Sequence, residues 1–146
     1  MTTTEQTRSE RNSTFLIPYV FFGGRCADAL EFYKGIFGGT YEIVRIGDTP
    51  MAEQYADAKD RIMHAWFNAP GISFYCSDGM EDKAIDPDAG NVSIALNIPE
   101  ADKGDKIFAA LSEGGKVLMP LGQSFWGGRF GIVQDKFGSE WMFTTS

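Results

Sequence analysis

The sequence predicts an α+β fold in which two βαβββ modules form a curved mixed sheet around a cavity. Short alternating apolar segments predict strands, and two segments with apolar residues every three or four positions predict helices. The same order of elements occurs twice, and the glycine pairs Gly38-Gly39 and Gly114-Gly115 each follow a predicted helix and precede a predicted strand. A module that packs one helix on one face of its sheet leaves the other face free to line a cavity.

The first module is predicted to run from a strand through a helix to three further strands. The first strand covers residues 14–22, and Pro18 marks an edge or a strand start because proline donates no ladder hydrogen bond. The helix covers residues 25–37, with an inner stripe of Cys26, Ala29, Leu30, Tyr33 and Phe37. A polar connection, residues 47–61, separates the first two of the remaining strands, which are residues 40–46, 62–68 and 72–77.

The second module repeats this order after residue 90. A strand at residues 91–98 precedes a helix at 102–113, which turns Ile107, Phe108 and Leu111 inward. The last three strands are predicted at residues 116–121, 129–135 and 139–144. In the final strand, alternation places Glu140, Met142 and Thr144 on the face opposite Trp141 and Phe143, which pack under the helices.

Length and composition indicate one folded globular domain. The chain has 146 residues, of which 43% are hydrophobic and 14% aromatic. Residues 1–13 are polar and mixed in charge, so we expect a disordered tail. Residues 14–146 are expected to form a single domain, with modules at about 14–78 and 91–146.

Charge and hydropathy exclude several classes of partner. The net charge of −7 argues against a nucleic-acid partner, because phosphate binding needs a basic face. The acidic segment 78–88 favours a solvated loop over a calcium site, since Gly90 comes one place early and no glutamate closes the motif. No apolar run is long enough to cross a bilayer, and residues 1–13 lack the apolar centre of a signal peptide, so we expect a cytoplasmic protein without a membrane partner.

Neither cysteine suggests a disulfide or a zinc site, because Cys26 and Cys76 are far apart in sequence and form no CxxC motif. Cys26 lies near a helix start, where a thiol pKa can be lowered. The favoured interpretation is a small buried residue on the inner stripe of the helix.

Two segments carry a resemblance to a known family. They are IPYVFFGGRCADALEFYKGIFGG at the first strand and helix, and FWGGRFGIVQDKFGSEWMF at the last hairpin. Over roughly residues 15–144 the chain resembles the vicinal-oxygen-chelate superfamily, the glyoxalase/bleomycin-resistance fold. More narrowly it is similar to the PhnB-like branch, whose members are described as 3-demethylubiquinone methyltransferase domains.

In the metal-using members of that superfamily, the resemblance implies four ligands, one from the first and one from the last strand of each module. These positions fall here on Pro18, Tyr75, Ser93 and Met142. None of them is a good ligand for a divalent metal, because proline offers no donor and methionine offers a soft thioether. Metal-dependent glyoxalase or dioxygenase chemistry is therefore disfavoured, and we expect neither a metal nor a cofactor.

The resemblance to methyltransferase-labelled domains does not extend to a cofactor-binding motif. Gly23-Gly24 precedes a helix, but no GxGxxG follows a buried parallel strand. Methyl transfer is not inferred.

Several residues remain candidates for a functional site. His64, the only histidine, and Glu140 are candidate acid–base catalysts, although each also has a structural interpretation as a hydrogen-bonding or solvated side chain. The predicted ligand-binding residues are aromatic, polar or sulfur-bearing, and are Phe22, Trp66, Tyr75, Ser93, Trp126, Arg129 and Met142. Trp126-Gly127-Gly128 predicts a loop folded over a concave surface.

These observations favour a metal-free protein that binds or sequesters a small molecule in a cavity at the interface of a homodimer, which the resemblance implies. The alternative is a lyase, isomerase or transferase of the same superfamily that uses Glu140, His64 or Tyr75, or a recruited divalent metal. A purely structural dimer is a third possibility.

Overall fold

The structure of the chain, a computed structural model, describes residues 14–83, 86 and 90–146. The predicted disordered tail, residues 1–13, lies outside the described residues. The chain divides between Lys83 and Ala84 into two compact units, here called the N-terminal and C-terminal modules. Each module contains one α-helix and a four-stranded mixed sheet, which confirms the α+β class and the two βαβββ modules.

The N-terminal module follows the predicted order, with a sheet order of β1-β4-β3-β2. Strand β1 runs parallel to β4, and the other pairs are antiparallel. The polar connection between β2 and β3 contains two short 3-10 turns, Ile46–Asp48 and Ala56–Ala58. The elements are β1 (Tyr19–Phe21), α1 (Cys26–Phe37), β2 (Thr40–Arg45), β3 (Ile62–Ala69) and β4 (Ile72–Ser77).

The C-terminal module repeats this topology, with a sheet order of β5-β8-β7-β6. Strand β5 runs parallel to β8, while β6, β7 and β8 pair in antiparallel fashion. The elements are β5 (Ile94–Ile98), α2 (Ala101–Ser112), β6 (Lys116–Gln123), β7 (Arg129–Gln134) and β8 (Glu140–Thr145).

The first strand of each module is shorter than the sequence predicted. Residues 14–22 were predicted as a strand, but β1 covers only Tyr19–Phe21. Pro18 lacks an N–H and takes part only through its carbonyl, which accepts a hydrogen bond from the Tyr75 N–H at 2.9 Å. In the same way, β5 begins at Ile94 instead of residue 91. Strand β6, predicted to end at residue 121, continues to Gln123.

Helix α1 packs its predicted inner stripe against the sheet. Four residues of the stripe are buried, and Phe37 is half-buried at the end of the helix. The Tyr33 ring lies 5.5 Å from the Phe74 ring and 6.0 Å from the Phe22 ring, centroid to centroid. The face of each sheet that packs against its helix is called the helix face, and the opposite one the far face.

The two cysteines meet in this core. Cys26 and Cys76 are free and fully buried, and their sulfur atoms lie 3.4 Å apart. The hydrogen bond to Cys76 and burial together raise the pKa of the Cys26 thiol. Cys26 is therefore a packing residue, as favoured from the sequence, and not a reactive thiolate.

The core of the C-terminal module is built in the same manner. Ile107, Phe108 and Leu111 of α2 are buried, as predicted. Phe108 meets Phe143 edge-on, with ring centroids 5.6 Å apart. Gly131 lies directly beneath the helix, because a Cβ at this position would lie 3.0 Å from the Phe108 ring.

One acidic residue assigned to a solvated loop is in fact buried. Asp78 is only 7% exposed, and its carboxylate accepts hydrogen bonds from the backbone N–H groups of Cys26 and Ile62, at 2.8 and 2.7 Å. Asp78 thereby joins the start of α1 to the start of β3. Asp82, further along the segment, is exposed and pairs with Arg61 at 2.6 Å.

Candidate functional site

The far face of the N-terminal sheet carries a group of aromatic side chains. On β3 and β4, Ala65, Phe67, Phe74 and Cys76 are buried beneath α1, so alternation directs His64, Trp66 and Tyr75 to the far face. Tyr19 of β1 stands opposite Tyr75 in the parallel register.

These four residues, Tyr19, His64, Trp66 and Tyr75, are called the aromatic cluster. His64 lies at its centre, with its ring centroid 4.7 Å from Trp66, 5.0 Å from Tyr75 and 5.4 Å from Tyr19. The Trp66 and Tyr75 contacts are edge-to-face, the geometry that aromatic rings favour. The cluster therefore presents flat apolar surfaces together with the polar atoms of an imidazole, an indole and two phenols.

His64 is held in the cluster by a hydrogen bond. The Tyr19 hydroxyl lies 2.9 Å from the His64 Nδ1. Burial lowers the pKa of His64 below its ordinary value and raises the pKa of the Tyr19 phenol above its own. At neutral pH the pair is therefore uncharged.

The lowered pKa of His64 predicts a loss of stability on acidification. The unfolded chain takes up a proton near pH 6.5, the ordinary value, while the folded chain does so at lower pH. The stabilisation is present above pH 6.5 and is lost as the pH falls through the pKa of the folded state. Urea unfolding between pH 7.5 and about pH 5 should show a steeper decline for the wild type than for His64→Gln. Equal slopes would contradict this account of His64.

In the C-terminal module, β6, β7 and the turn between them line a separate cavity that is open to solvent. Its volume is about 380 Å³, within the range of small-molecule sites. Trp126 is 57% exposed and meets Phe130 edge-on at 5.5 Å, whereas Phe125 is 97% exposed. The lining residues all come from β6, the turn and β7, and are Met119, Pro120, Gly122, Gln123, Ser124, Phe125, Trp126 and Phe130.

Of the predicted residues, Glu140 and Met142 lie on the far face of the C-terminal sheet, and Ser93 directly precedes β5. The Ser93 hydroxyl donates a hydrogen bond to Glu140 Oε2, and both side chains are half-buried. Met142 is 37% exposed and stands opposite Ala95 of β5. Ser93 was predicted as a ligand-binding residue and Glu140 as a candidate catalyst, and the two side chains are in direct contact.

Two predicted site residues lie elsewhere. Phe22 is 3% exposed and packs against Tyr33 of the helix, so it belongs to the core of the N-terminal module. Arg129 forms an ion pair with Asp105 at 2.8 Å, and its Nε donates to the Ser146 carbonyl. These contacts account for both side chains without a ligand.

Tyr19 belongs to the cluster but was not among the predicted site residues. Pro18 was predicted at the functional position of the first strand by counting back from the helix motif, which puts the face of Pro18, Val20 and Phe22 toward the cavity. In the structure Phe22 packs beneath α1, and Tyr19 is the residue that pairs with Tyr75.

The observed register allows a test of the metal site that the fold implies. In the N-terminal module the paired first- and last-strand residues are Tyr19 and Tyr75, and in the C-terminal module they are Ala95 and Met142. Phenols, a methyl group and a thioether do not fit the preference of a hard divalent metal for carboxylate and imidazole ligands. Within residues 14–83, 86 and 90–146, no three His, Cys, Asp or Glu side chains come together as a possible metal site.

The fold is that of the glyoxalase/bleomycin resistance protein/dioxygenase superfamily. A member of this superfamily from Sphaerobacter thermophilus DSM 20745 superimposes with a TM-score of 0.56, at 16% identity, over 91% of this chain and 98% of that one. Among the described residues, no helix is both long and apolar enough to cross a membrane.

The chain belongs to the PhnB-like family whose model is described as 3-demethylubiquinone-9 3-methyltransferase, which it matches over residues 14–144. It is 36% identical to protein PA1353 from Pseudomonas aeruginosa, with a TM-score of 0.78 over 92% of this chain and 98% of that one. It is 25% identical to a PhnB protein from Bacillus cereus, which is described as a candidate 3-demethylubiquinone-9 3-methyltransferase. The TM-score is 0.69 over 91% of this chain and all of that one. The resemblance stated from the two sequence segments is thereby confirmed.

Proposed function

We propose that the protein binds a small planar aromatic molecule on the aromatic cluster, without a catalytic metal. The observation that carries the proposal is the position of His64 between the rings of Tyr19, Trp66 and Tyr75 on the far face of the N-terminal sheet. In a hydrophobic core, such rings would be covered by other side chains and buried from solvent. Here Tyr19 is 42% exposed, and His64, Trp66 and Tyr75 are half-buried.

The chemistry of the cluster favours a planar ligand. A planar ring stacked on Trp66 or Tyr75 gains about 0.5–1.5 kcal/mol per ring pair, in addition to the apolar area that it buries. Glu42 of β2 pairs in register with Trp66, so its carboxylate lies on the same far face, beside the strand that carries the indole. This carboxylate and the net charge of −7 favour neutral or cationic ligands over anionic ones.

The family description names methyl transfer to a demethylubiquinone, whose head group is a planar ring. This description suggests a planar ring as the shape of a ligand to test. Methyl transfer would need a cofactor site, and the sequence contains no glycine-rich turn of that kind. Methoxyquinols without a polyprenyl tail therefore belong in the ligand panel.

Replacing Trp66 by alanine should weaken binding of every planar ligand of the panel by about tenfold, since one large stacking surface is lost. Isothermal titration calorimetry on the full chain measures the effect, after a thermal-shift screen has identified the ligands. The matched control is Trp126→Ala, which removes an exposed tryptophan from the cavity of the other module. We expect that variant to change the affinity less than twofold.

If Trp126→Ala weakens binding and Trp66→Ala does not, the ligand binds in the cavity of the C-terminal module. If both variants bind with wild-type affinity, neither tryptophan contacts the ligand and the proposal fails. Circular dichroism of each variant separates a loss of binding from a loss of folding.

A further inference from the structure

The geometry points to Tyr19 as the residue that fixes the tautomer of His64, so that the aromatic cluster selects planar ligands that carry a hydrogen-bond acceptor. This inference rests on the proposed function for its ligand. Its structural half, the tautomer, concerns the free protein alone.

The Tyr19 hydroxyl donates its proton to His64. Two acceptors lie near its hydroxyl, the His64 Nδ1 at 2.9 Å and the Met63 carbonyl at 3.4 Å. The first distance is close to the optimum for a hydrogen bond and the second is at its outer limit. The shorter contact favours Nδ1 as the acceptor, and a neutral imidazole that accepts at Nδ1 carries its proton on Nε2.

The Nε2–H is the polar group that this arrangement leaves for a ligand. No hydrogen bond to Nε2 is formed within the described part of the chain, whereas Nδ1 is held by Tyr19. The rings of Trp66 and Tyr75 flank the imidazole and would exclude water once a planar molecule covers them. A ligand without an acceptor would then leave a donor unpaired in an apolar contact, which is unfavourable.

The ligand class that follows is a planar aromatic molecule with a carbonyl, a methoxy oxygen or a ring nitrogen at its edge. A ligand with such an acceptor should bind about tenfold more tightly than the isosteric hydrocarbon, given the usual size of one hydrogen bond. An example of a matched pair is quinoline and naphthalene, which differ in a single ring atom.

The tautomer can be observed directly, because His64 is the only histidine of the chain. Nitrogen-15 NMR of the untagged full-length protein at pH 8 should show one protonated nitrogen, Nε2, and one unprotonated nitrogen, Nδ1. Tyr19→Phe should convert this signal into a mixture of tautomers and reduce the quinoline-to-naphthalene affinity ratio to below threefold. The control Tyr55→Phe removes a hydroxyl that contacts Gln54 and should change neither value.

The possible outcomes test the role of Tyr19, the acceptor selectivity and the proposed function separately. A proton on Nδ1 in the wild type, or an unchanged tautomer in Tyr19→Phe, overturns the role of Tyr19. The correct tautomer with equal affinities for the two ligands overturns the acceptor selectivity while the binding site stands. The correct tautomer with no binding of any planar ligand overturns the proposed function, and the acceptor selectivity with it.

Discussion

Replacement of Asp135 by alanine lowers the free energy of unfolding by about 3–5 kcal/mol, as expected when a buried charged acceptor is removed from several donors. Asp135 is 2% exposed at the turn between β7 and β8. Its Oδ1 accepts from the N–H groups of Phe137 and Ser139, and its Oδ2 accepts from the Trp141 Nε1 at 2.9 Å. Without the carboxylate, three donors lose their partner in a place that water reaches poorly.

Urea unfolding followed by circular dichroism measures this loss. Asp135→Asn is the conservative variant, since one oxygen can still serve the turn while the amide nitrogen opposes Trp141, and its loss should be intermediate. Asp57→Ala, at an exposed position in a 3-10 turn, is the control and should stay within about 0.5 kcal/mol of the wild type. A loss below 1 kcal/mol in Asp135→Ala would show that the turn is stabilised by other contacts.

The second large effect is expected at Gly39, where the chain passes from α1 to β2. Gly39 has a φ of +81°, and a Cβ here would lie 2.1 Å from the Asn68 carbonyl oxygen and 2.8 Å from the Ala69 Cα. Gly39→Ala therefore combines an unfavourable backbone conformation with a clash against the backbone of β3. We expect a loss of about 3 kcal/mol or more.

The neighbouring glycine provides a matched control. Gly38 has a φ of +72°, but a Cβ there would meet nothing within 4 Å. Gly38→Ala should cost about 1–3 kcal/mol from backbone strain alone, because its φ of +72° and ψ of −152° form a conformation that essentially only glycine adopts. If the two variants lose equal stability in urea unfolding, the close approach of Gly39 to β3 is absent in solution.

The Gly39 prediction also concerns the site. Asn68 and Ala69 end the strand that carries His64 and Trp66, and Asn68 pairs with Ser73 of β4, the strand of Tyr75. A displaced β3 would shift the rings of the aromatic cluster relative to one another. A folded but destabilised Gly39→Ala protein should accordingly bind planar ligands less well than Gly38→Ala.

The sequence predicted the helices, the order of elements along the chain and the helix faces well, because these depend on periodicity and on the glycine, proline and polar residues that end each element. The stripe from Cys26 to Tyr33 and the glycine pairs after each helix are signals of this kind. The burial of Trp141 and Phe143 also followed from alternation along a single strand.

The candidate site was predicted less completely, because it depends on the register between strands that are distant in sequence. Tyr19 meets Tyr75 only through the parallel pairing of β1 with β4, and a position counted back from the helix motif does not fix that pairing. Phe22 was assigned to the site, but it is buried beneath the helix. Its neighbour Phe21 faces away from the helix and is exposed. The ion pair of Arg129 with Asp105 joins β7 to α2, and no local pattern indicates it.

The burial of Asp78 was also missed, because it depends on contacts between residues distant in sequence. Its neighbours form an acidic segment, and composition alone favours a solvated loop. Its carboxylate is nonetheless buried, because two backbone N–H groups from separate elements converge on it. Long-range hydrogen bonds of this kind leave no trace in local sequence.

The central claim is that a planar ligand binds on the aromatic cluster of the N-terminal module. The most direct measurement is a crystal structure of the protein with the tightest-binding planar compound of the panel. We predict that the ligand ring stacks on Trp66, with its acceptor atom within hydrogen-bond distance of the His64 Nε2. A ligand found in the cavity between Met119 and Phe130, with the aromatic cluster uncovered, would contradict the account.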